Sequence, residues 1–374
     1  MLAAFLRTAA LAAALLSGWI GAAHAIDLVD VAGRPVHLDQ PARTVVLGDG
    51  RALSAMAILE PENPVAKVEA MLSNMEQTDP ELLDYMKARF PRTATIPMVT
   101  GVETGASVEQ VITIGPDVAI LSMSGHGPSI EDEEFVNQLE AAGIPVVFID
   151  FRLDPLKNTV ASLEIMGEVL GRKDRAGAFA TFYKERIARI ESRLADFTGA
   201  RPTVFLQAHI GRFECCVAMA NGMLGPFVEA AGGRNISAEA VPGPVGRHTQ
   251  EFLLAANPDI WIGTASGTPA DLAEGKPFAA LGMHVSAEMA QSSAIAGLES
   301  AGLMELDAVK AGRAYTIWHG FYNSPFNIYV LETFAKWFHS DLFADLDPEA
   351  TFRQVHETFL PLDNPGLYSW QVTR

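Results

Sequence analysis

A set of arginine, histidine and aromatic residues, each just after an apolar run, has the chemistry to hold an anion or a flat organic group. Arg51 follows Thr44–Leu47, His126 sits in Ser124-Gly125-His126-Gly127, and Arg152 follows Ile149-Asp150. Further on, His209 and Arg212 follow Thr203–Gln207, and Arg247 stands beside His248 in a Gly/Pro-rich loop. Trp318-His319-Gly320-Phe321-Tyr322 ends another apolar run. A guanidinium offers a planar fork to carboxylates and other anionic oxygens. Aromatic rings stack on flat groups and supply apolar contact area. Each residue also has a structural reading. Arg51 could tie its own loop to Asp49, and Arg152 could anchor the helix that follows it. His209 could satisfy a buried polar network, and His126, Arg247 and His248 could be solvated loop residues. Trp318 and Tyr322 could belong to the core or the rim.

No catalytic signature accompanies them. Ser122-Met123-Ser124-Gly125-His126 lacks the first glycine of a G-x-S-x-G nucleophile turn. There is no phosphate-binding loop and no Gly-rich dinucleotide fingerprint. The 9 histidines are scattered, without a His-rich tract, H-E-x-x-H or C-x-x-C spacing. The expectation is a protein that binds without chemistry and needs no cofactor of its own.

Two segments show how such loops are positioned. Ser107 to Leu121 reads SVEQVITIGPDVAIL, and Thr249 to Gly263 reads TQEFLLAANPDIWIG. Ser107 and Thr249 are suited to N-cap a helix, with Glu109 and Glu251 in its first turn. Gly115 and Asn257 are suited to end it, Pro116 and Pro258 prevent its continuation, and a buried strand follows. One helix–turn–strand unit therefore occurs twice, which implies two similar lobes and a cleft between them. Strands expected at 44–47, 66–69, 96–99, 118–122 and 145–149 alternate with helices, the pattern of a mainly parallel α/β sheet. From Leu156 to Asp196 nearly every residue is a helix former, interrupted by Gly171 and Gly177. The resulting organisation is residues 1–25 as a signal peptide and 26–153 as an N-terminal α/β lobe. A single long or slightly broken linking helix takes 154–197, and a C-terminal α/β lobe takes 198–374. The lobes are Rossmann-like, and ligands of such sheets gather beyond the carboxyl ends of the strands.

Composition bounds the setting. Arg7, the apolar stretch Ala9–Ile20 and Ala23-His24-Ala25 make a cleavable signal, so the mature chain starts near Ile26. No Cys follows the cleavage site, which argues against a lipid anchor. The formal charge of −18 argues against nucleic acid and anionic membranes as partners. The 2 cysteines are the neighbours Cys215 and Cys216. Consecutive Cα atoms sit about 3.8 Å apart, whereas disulfides usually need at least about 4.4 Å. Two buried thiols are the preferred expectation and a vicinal disulfide the alternative.

In order and spacing the chain resembles the periplasmic binding proteins of ABC importers for iron–siderophore complexes, haem and cobalamin. The resemblance rests on DVAGRPVHLDQPARTVVLG at the start, the two Pro-Asp units, EAAGGRNI at Glu229–Ile236, VKAGRAYTIW at Val309–Trp318 and AKWFHSDLF at Ala335–Phe343. It covers nearly the whole mature chain. It implies two lobes joined by one long helix, a periplasmic monomer, and delivery of a metal chelate, most of all a ferric siderophore, to an ABC permease in the inner membrane. Such ligands are usually anionic, and haem carries propionates. In a haem-binding member, Tyr322, His126 or His319 would be the axial ligand. A tetrapyrrole metal chelatase, also two-lobed with an open cleft, is the rival from another class. One departure concerns docking: members often carry a Glu on each lobe for the permease, where this chain has Leu53-Ser54 and Pro226. Glu60, Glu62 and Glu229 are neighbouring acids that could substitute.

Overall fold

The apolar runs behind the two Pro-Asp pairs become central strands of two separate sheets. The computed structural model describes residues 25–99, 107–360 and 366–373, so all but the last residue of the expected signal peptide lies outside the described residues. A hairpin of β1 (Ile26–Val29) and β2 (Pro35–Leu38) comes first. The first sheet contains β3 (Val45–Leu47), β4 (Val68–Met71), β5 (Val118–Ser122) and β6 (Val146–Ile149). Its order is β4-β3-β5-β6, and every pair is parallel. The strand expected at 66–69 thus starts two residues later. Of 96–99, only Met98 forms a bridge, to Met71, because a 3-10 turn at Pro91–Thr95 leads directly into it.

The second sheet is mixed. β7 (Thr203–Gln207), β11 (Ile260–Ala265) and β13 (Ala314–Trp318) form its parallel centre, with the short β9 (Arg234–Asn235) also parallel to β7. β8 (Val217–Met219) and β10 (Val245–Arg247) run antiparallel on one side. β15 (Ser369–Gln371) closes the other side against β13, also antiparallel. A separate pair, β12 (Gly282–Met283) and β14 (Gly366–Leu367), is antiparallel as well. The central strands of both sheets are fully buried, which explains their unbroken apolar runs.

The repeated unit also repeats its hydrogen bonds. Ser107 Oγ and Thr249 Oγ1 accept the Gln110 and Phe252 amides, and the helices end in left-handed residues, Gly115 and Asn257. Asp117 Oδ2 accepts the Arg43 and Thr44 amides at 2.8 and 3.1 Å, just ahead of β3. Asp259 Oδ2 accepts the Thr203 amide at 2.8 Å, at the start of β7. Thr44 Oγ1 and Thr203 Oγ1 return the favour to the Asp117 and Asp259 amides. Each Pro-Asp aspartate therefore sets the register of the neighbouring strand in its own lobe.

The connection between the sheets is a helix pair. Pro155–Leu170 and Lys173–Ala195 part at Gly171, whose φ of +69° ends the first helix, and the Arg172 amide closes onto Gly167 O. Lys184 Nζ reaches Glu164 at 3.1 Å, so the second helix lies back along the first. An uninterrupted rod would hold those residues about 30 Å apart at 1.5 Å per residue. The single helix expected over 154–197 is thus corrected: a left-handed glycine lets the chain fold back and pack small residues, Gly167 against Ala176, at the turn. Arg175 straps this pair to both sides, donating to Ile58 O at 2.9 Å and Phe359 O at 2.8 Å. Tyr183 and Thr159 meet at Asn327, where the hydrogen bonds are 2.5 and 2.9 Å.

Cys215 and Cys216 are joined as a vicinal disulfide across a cis peptide bond, with Cα atoms 3.0 Å apart. The expectation of two thiols assumed the trans spacing and does not hold. Among the described residues no helix is long and apolar enough to cross a membrane.

Candidate functional site

Five strands deliver their C-terminal ends to one place. Arg51 follows β3, His126 follows β5 and Arg152 follows β6, while His209 follows β7 and His319 with Tyr322 follows β13. This is the side of a parallel sheet where ligands collect.

Local folding fixes each one. Asp49 Oδ1 accepts the Arg51 amide and so caps the short turn Gly50–Ala52. The His126 loop lies close over β3: a Cβ at Gly127 would stand 1.9 Å from Gly48 O, so only glycine fits there. Asp150 organises the turn after β6 by accepting the amides of Arg152, Leu153 and Asp154 at 2.7–2.9 Å. His209 has φ +50°, and its amide donates to Thr264 Oγ1 at 2.9 Å. Thr264 Oγ1 also meets His319 Nδ1 at 2.8 Å, so one β11 hydroxyl positions both histidines.

The group spans the two lobes. Arg51 Nη1 donates to the Tyr322 hydroxyl at 2.6 Å, and Asn323 Nδ2 donates to Asp49 at 2.8 Å. The Tyr322 hydroxyl lies 3.5 Å from His126 Nε2. The His209 and His319 ring centroids are 3.6 Å apart, and His319 is 4.5 Å from the Tyr322 ring. The Arg51 and Arg152 guanidinium carbons sit 5.2 and 5.3 Å from the Tyr322 centroid, within cation–π range.

The arginines differ in what they have left to give. Arg51 is buried and forks onto Asp49, with Nε–Oδ1 at 3.1 Å and Nη2–Oδ2 at 2.6 Å. Burial opposes its charge, but Asp49 and Tyr322 more than offset this and raise its pKa. Arg152 is only half-buried as a residue, yet its Nε and Nη1 are shielded from solvent and have no hydrogen-bond partner among the described residues. Arg212 lies at the rim, with Nε donating to Ser266 Oγ at 2.9 Å and its guanidinium 4.3 Å over the Phe278 ring. Arg152 differs from the other two in having donor nitrogens without a partner.

The histidines are held neutral. Burial, then Arg51, lowers His126, and burial, then His209 and Arg51, lowers His319 well below its usual range. Burial, followed by Arg212, His126 and Arg152, pushes His209 from 6.5 down to about 4. A folded-state pKa below the unfolded one gives stability that is present above pH 6.5 and is lost as pH falls toward 4. Replacing His209 by Asn, which tolerates positive φ, should reduce the stability lost between pH 7 and pH 4. The expected difference is about 2 kcal/mol, after discounting for partial exposure. Urea unfolding of both proteins at the two pH values measures it. Equal losses would show that His209 is not the titrating group.

Other expected residues fall elsewhere. Arg247 is exposed on the edge strand β10, with Nη1 3.4 Å from Glu214 O, and makes none of the contacts that join this group. Trp318 also turns away, because it precedes His319 at the strand end and faces the opposite side. It packs edge-on against Phe321 and Tyr368 and lines a separate chamber. The sequence reading missed Phe213, whose exposed ring stands edge-on to His209 at 5.3 Å. Its position beside Arg212 was a usable signal, whereas nothing local marks Ser266 or Phe278. Among the described residues no three His, Cys, Asp or Glu side chains are grouped to hold a metal ion.

Residues 67–318, about two-thirds of the chain, match the model of the periplasmic binding protein family. The chain belongs to that family. As a periplasmic binding protein it has the mixed α/β, two-lobed fold of the TroA-like periplasmic binding protein FepB from Veillonella parvula. That structure is 26% identical and covers 93% of this chain and 100% of its own, with a TM-score of 0.82. A periplasmic heme binding protein from Pseudomonas aeruginosa shares the fold at 18% identity, TM-score 0.55, over 89% of this chain and 100% of its own. A cobalamin-binding protein of Halobacterium salinarum is 27% identical over 173 residues, 46% of this chain and 43% of that protein. The match spans less than half the length of that relative.

The resemblance implied docking carboxylates where this chain has Leu53-Ser54 and Pro226, with Glu60, Glu62 and Glu229 as neighbouring acids. Ser54 is buried and donates to Arg51 O at 2.8 Å, so it serves the cleft loop. Glu60 is held by Lys67 and Arg172 at 2.8 and 2.7 Å, and Glu229 accepts the Asn235 amide.

Proposed function

We propose that this periplasmic binding protein captures an anionic metal chelate, an iron–siderophore complex, and delivers it to an ABC permease in the inner membrane. It acts as a periplasmic monomer, without a cofactor and without chemistry on the ligand. The observation that carries the reading is Arg152, a cation shielded from water at the cleft with two unpartnered donor nitrogens. Leaving such a group unpaired costs free energy, and an anionic oxygen of the ligand would remove that cost. Arg212 adds a second cation from the other lobe, Tyr322 and Phe213 offer ring faces, and the neutral histidines offer acceptors. Arg51 acts through Tyr322, which it holds in place.

Cobalamin is the second reading, favoured by the 27% identity to a cobalamin-binding protein. Haem would use the same pocket through Tyr322, His126 or His319. Parallel titrations of the purified protein with a ferric tricatecholate, ferric citrate, haem and cobalamin, followed by tryptophan fluorescence, separate these readings. Saturable quenching by a ferric chelate is expected. Binding of cobalamin alone, or of haem alone with a Soret shift, would replace it, and catalytic metal insertion into a porphyrin would establish the chelatase.

A further inference from the structure

Behind Arg51, on the side away from the histidines, the lobes enclose a second space. Its free volume is about 60 Å³, room for a small group, and it is partly continuous with solvent. One wall is a chain of rings. Trp318 meets Tyr368 edge-on at 5.5 Å, Tyr368 meets Phe352 at 5.0 Å, and Phe352 meets Phe326 at 6.2 Å. The opposite wall is the first turn of helix Pro80–Arg89, with Asp79, Glu81 and Leu82.

Among the described residues no lysine or arginine forms an ion pair with Asp79 or Glu81 within 4.0 Å. Asp79 caps its helix by accepting the Leu82 amide at 3.1 Å, and Glu81 accepts the Met283 amide from the other lobe. Arg51 reaches the chamber wall, but its guanidinium is already bonded to Asp49 and Tyr322. Glu81 Oε2 and Trp318 Nε1 face one point, since a methyl on Gly282 would lie 3.0 Å from each. Carboxylates beside aromatic faces are the recognition chemistry of alkylammonium groups.

We propose that this chamber binds a small organic ammonium ion, with Glu81 and Asp79 as counter-charges and the Trp318–Tyr368–Phe352 rings as its cation–π wall. The titration behaviour agrees. Burial, with Asp79 and Asp271 nearby, pushes Glu81 to about 8, and burial pushes Asp79 to about 6. The other ionisable groups facing the chamber are Arg51, Tyr368 and His356. Below pH 8 Glu81 therefore keeps a proton that an entering ammonium displaces. Binding releases that proton, so affinity rises with pH up to about 8. The site goes beyond the anion reading of the cleft and does not depend on it, because Arg152 lines the cleft and not the chamber.

The test is calorimetric titration of the purified protein with methylammonium, with methanol as the uncharged control, at pH 6, 7 and 8. Saturable methylammonium binding is expected, strengthening at least tenfold from pH 6 to pH 8, with no comparable binding of the alcohol. Glu81→Gln should weaken it at least tenfold and abolish the pH slope. Asp79→Asn, which preserves the helix cap, should weaken it with the slope retained. Both variants are first checked for an unchanged circular dichroism spectrum. Equal binding of the alcohol, a slope that survives in Glu81→Gln, or no methylammonium binding at all overturns the proposal. Repeating the titration with the cleft saturated by a ferric tricatecholate, with or without an aminoalkyl arm, identifies the source. Exclusion only by the amine-bearing chelate assigns the chamber to an arm of the cleft ligand, and persistence in both assigns it to a free ammonium.

Discussion

Replacing Arg152 with methionine should weaken binding of a ferric tricatecholate by about 3 kcal/mol, over a hundredfold, while leaving the fold as stable as before or more stable. The two halves of this expectation have one cause. Arg152 Nε and Nη1 are shielded and unpartnered without ligand, so the folded protein bears a desolvation cost that the unfolded chain does not. Methionine retains much of the apolar stem beside Tyr322 and removes that cost. When an anionic oxygen occupies the cleft, the same nitrogens make charge-assisted hydrogen bonds of roughly 1.5–3 kcal/mol. Fluorescence titration gives the affinity and thermal unfolding gives the stability. Unchanged affinity would remove Arg152 from the binding site, and a large loss of stability would show that it is a structural residue.

Arg51 should behave in the opposite way. Arg51→Met is expected to destabilise the protein by about 3–5 kcal/mol, the usual result of removing one partner of a buried ion pair. Asp49 is 2% exposed, and without Arg51 its carboxylate keeps, among the described residues, only Asn323 and the backbone amide of residue 51 as donors. A double variant, Asp49→Asn with Arg51→Met, should recover much of the loss, because no charge is then left buried. Urea denaturation midpoints at pH 7 provide the measurement. Ligand affinity should fall less than in Arg152→Met, since Arg51 acts only by holding Tyr322. A single variant as stable as the parent protein would show that the Asp49–Arg51 pair contributes nothing net.

The contrast between these arginines shows where reading the sequence stops. Both sit in the same kind of place, three or four residues beyond a strand, and both are suited to an anion. Sequence neighbours could not distinguish them: Arg51 has Asp49 two residues before it, and Arg152 has Asp150 two residues before it. In the fold, Asp49 turns its carboxylate onto the guanidinium, whereas Asp150 turns its own onto three backbone amides and Asn158. The other decisive partner of Arg51, Tyr322, is 271 positions away. Trp318 and His319 show the same limit at one residue's distance. Adjacent side chains at a strand end point to opposite sides, and only the packing of Tyr368 and Thr264 says which side is the cleft.

The sequence by itself determined the features whose causes lie within about four residues. Ser107 and Thr249 cap their helices, Gly115 and Asn257 end them in left-handed backbone, and the apolar runs after Pro116-Asp117 and Pro258-Asp259 are buried strands. Capping, positive φ and periodicity are local, so the two-lobed plan and the places of the loops after the strands followed from them. Tertiary structure alone decided which charges are already satisfied. It also decided that Gly171 folds the linking helix back on itself, and that Cys215 and Cys216 are joined. It set the carboxyls of Asp79 and Glu81 opposite a ring wall assembled from residues more than 230 positions away. Those outcomes depend on desolvation and on distances between side chains remote in the chain, and neither quantity is written in residue type or spacing.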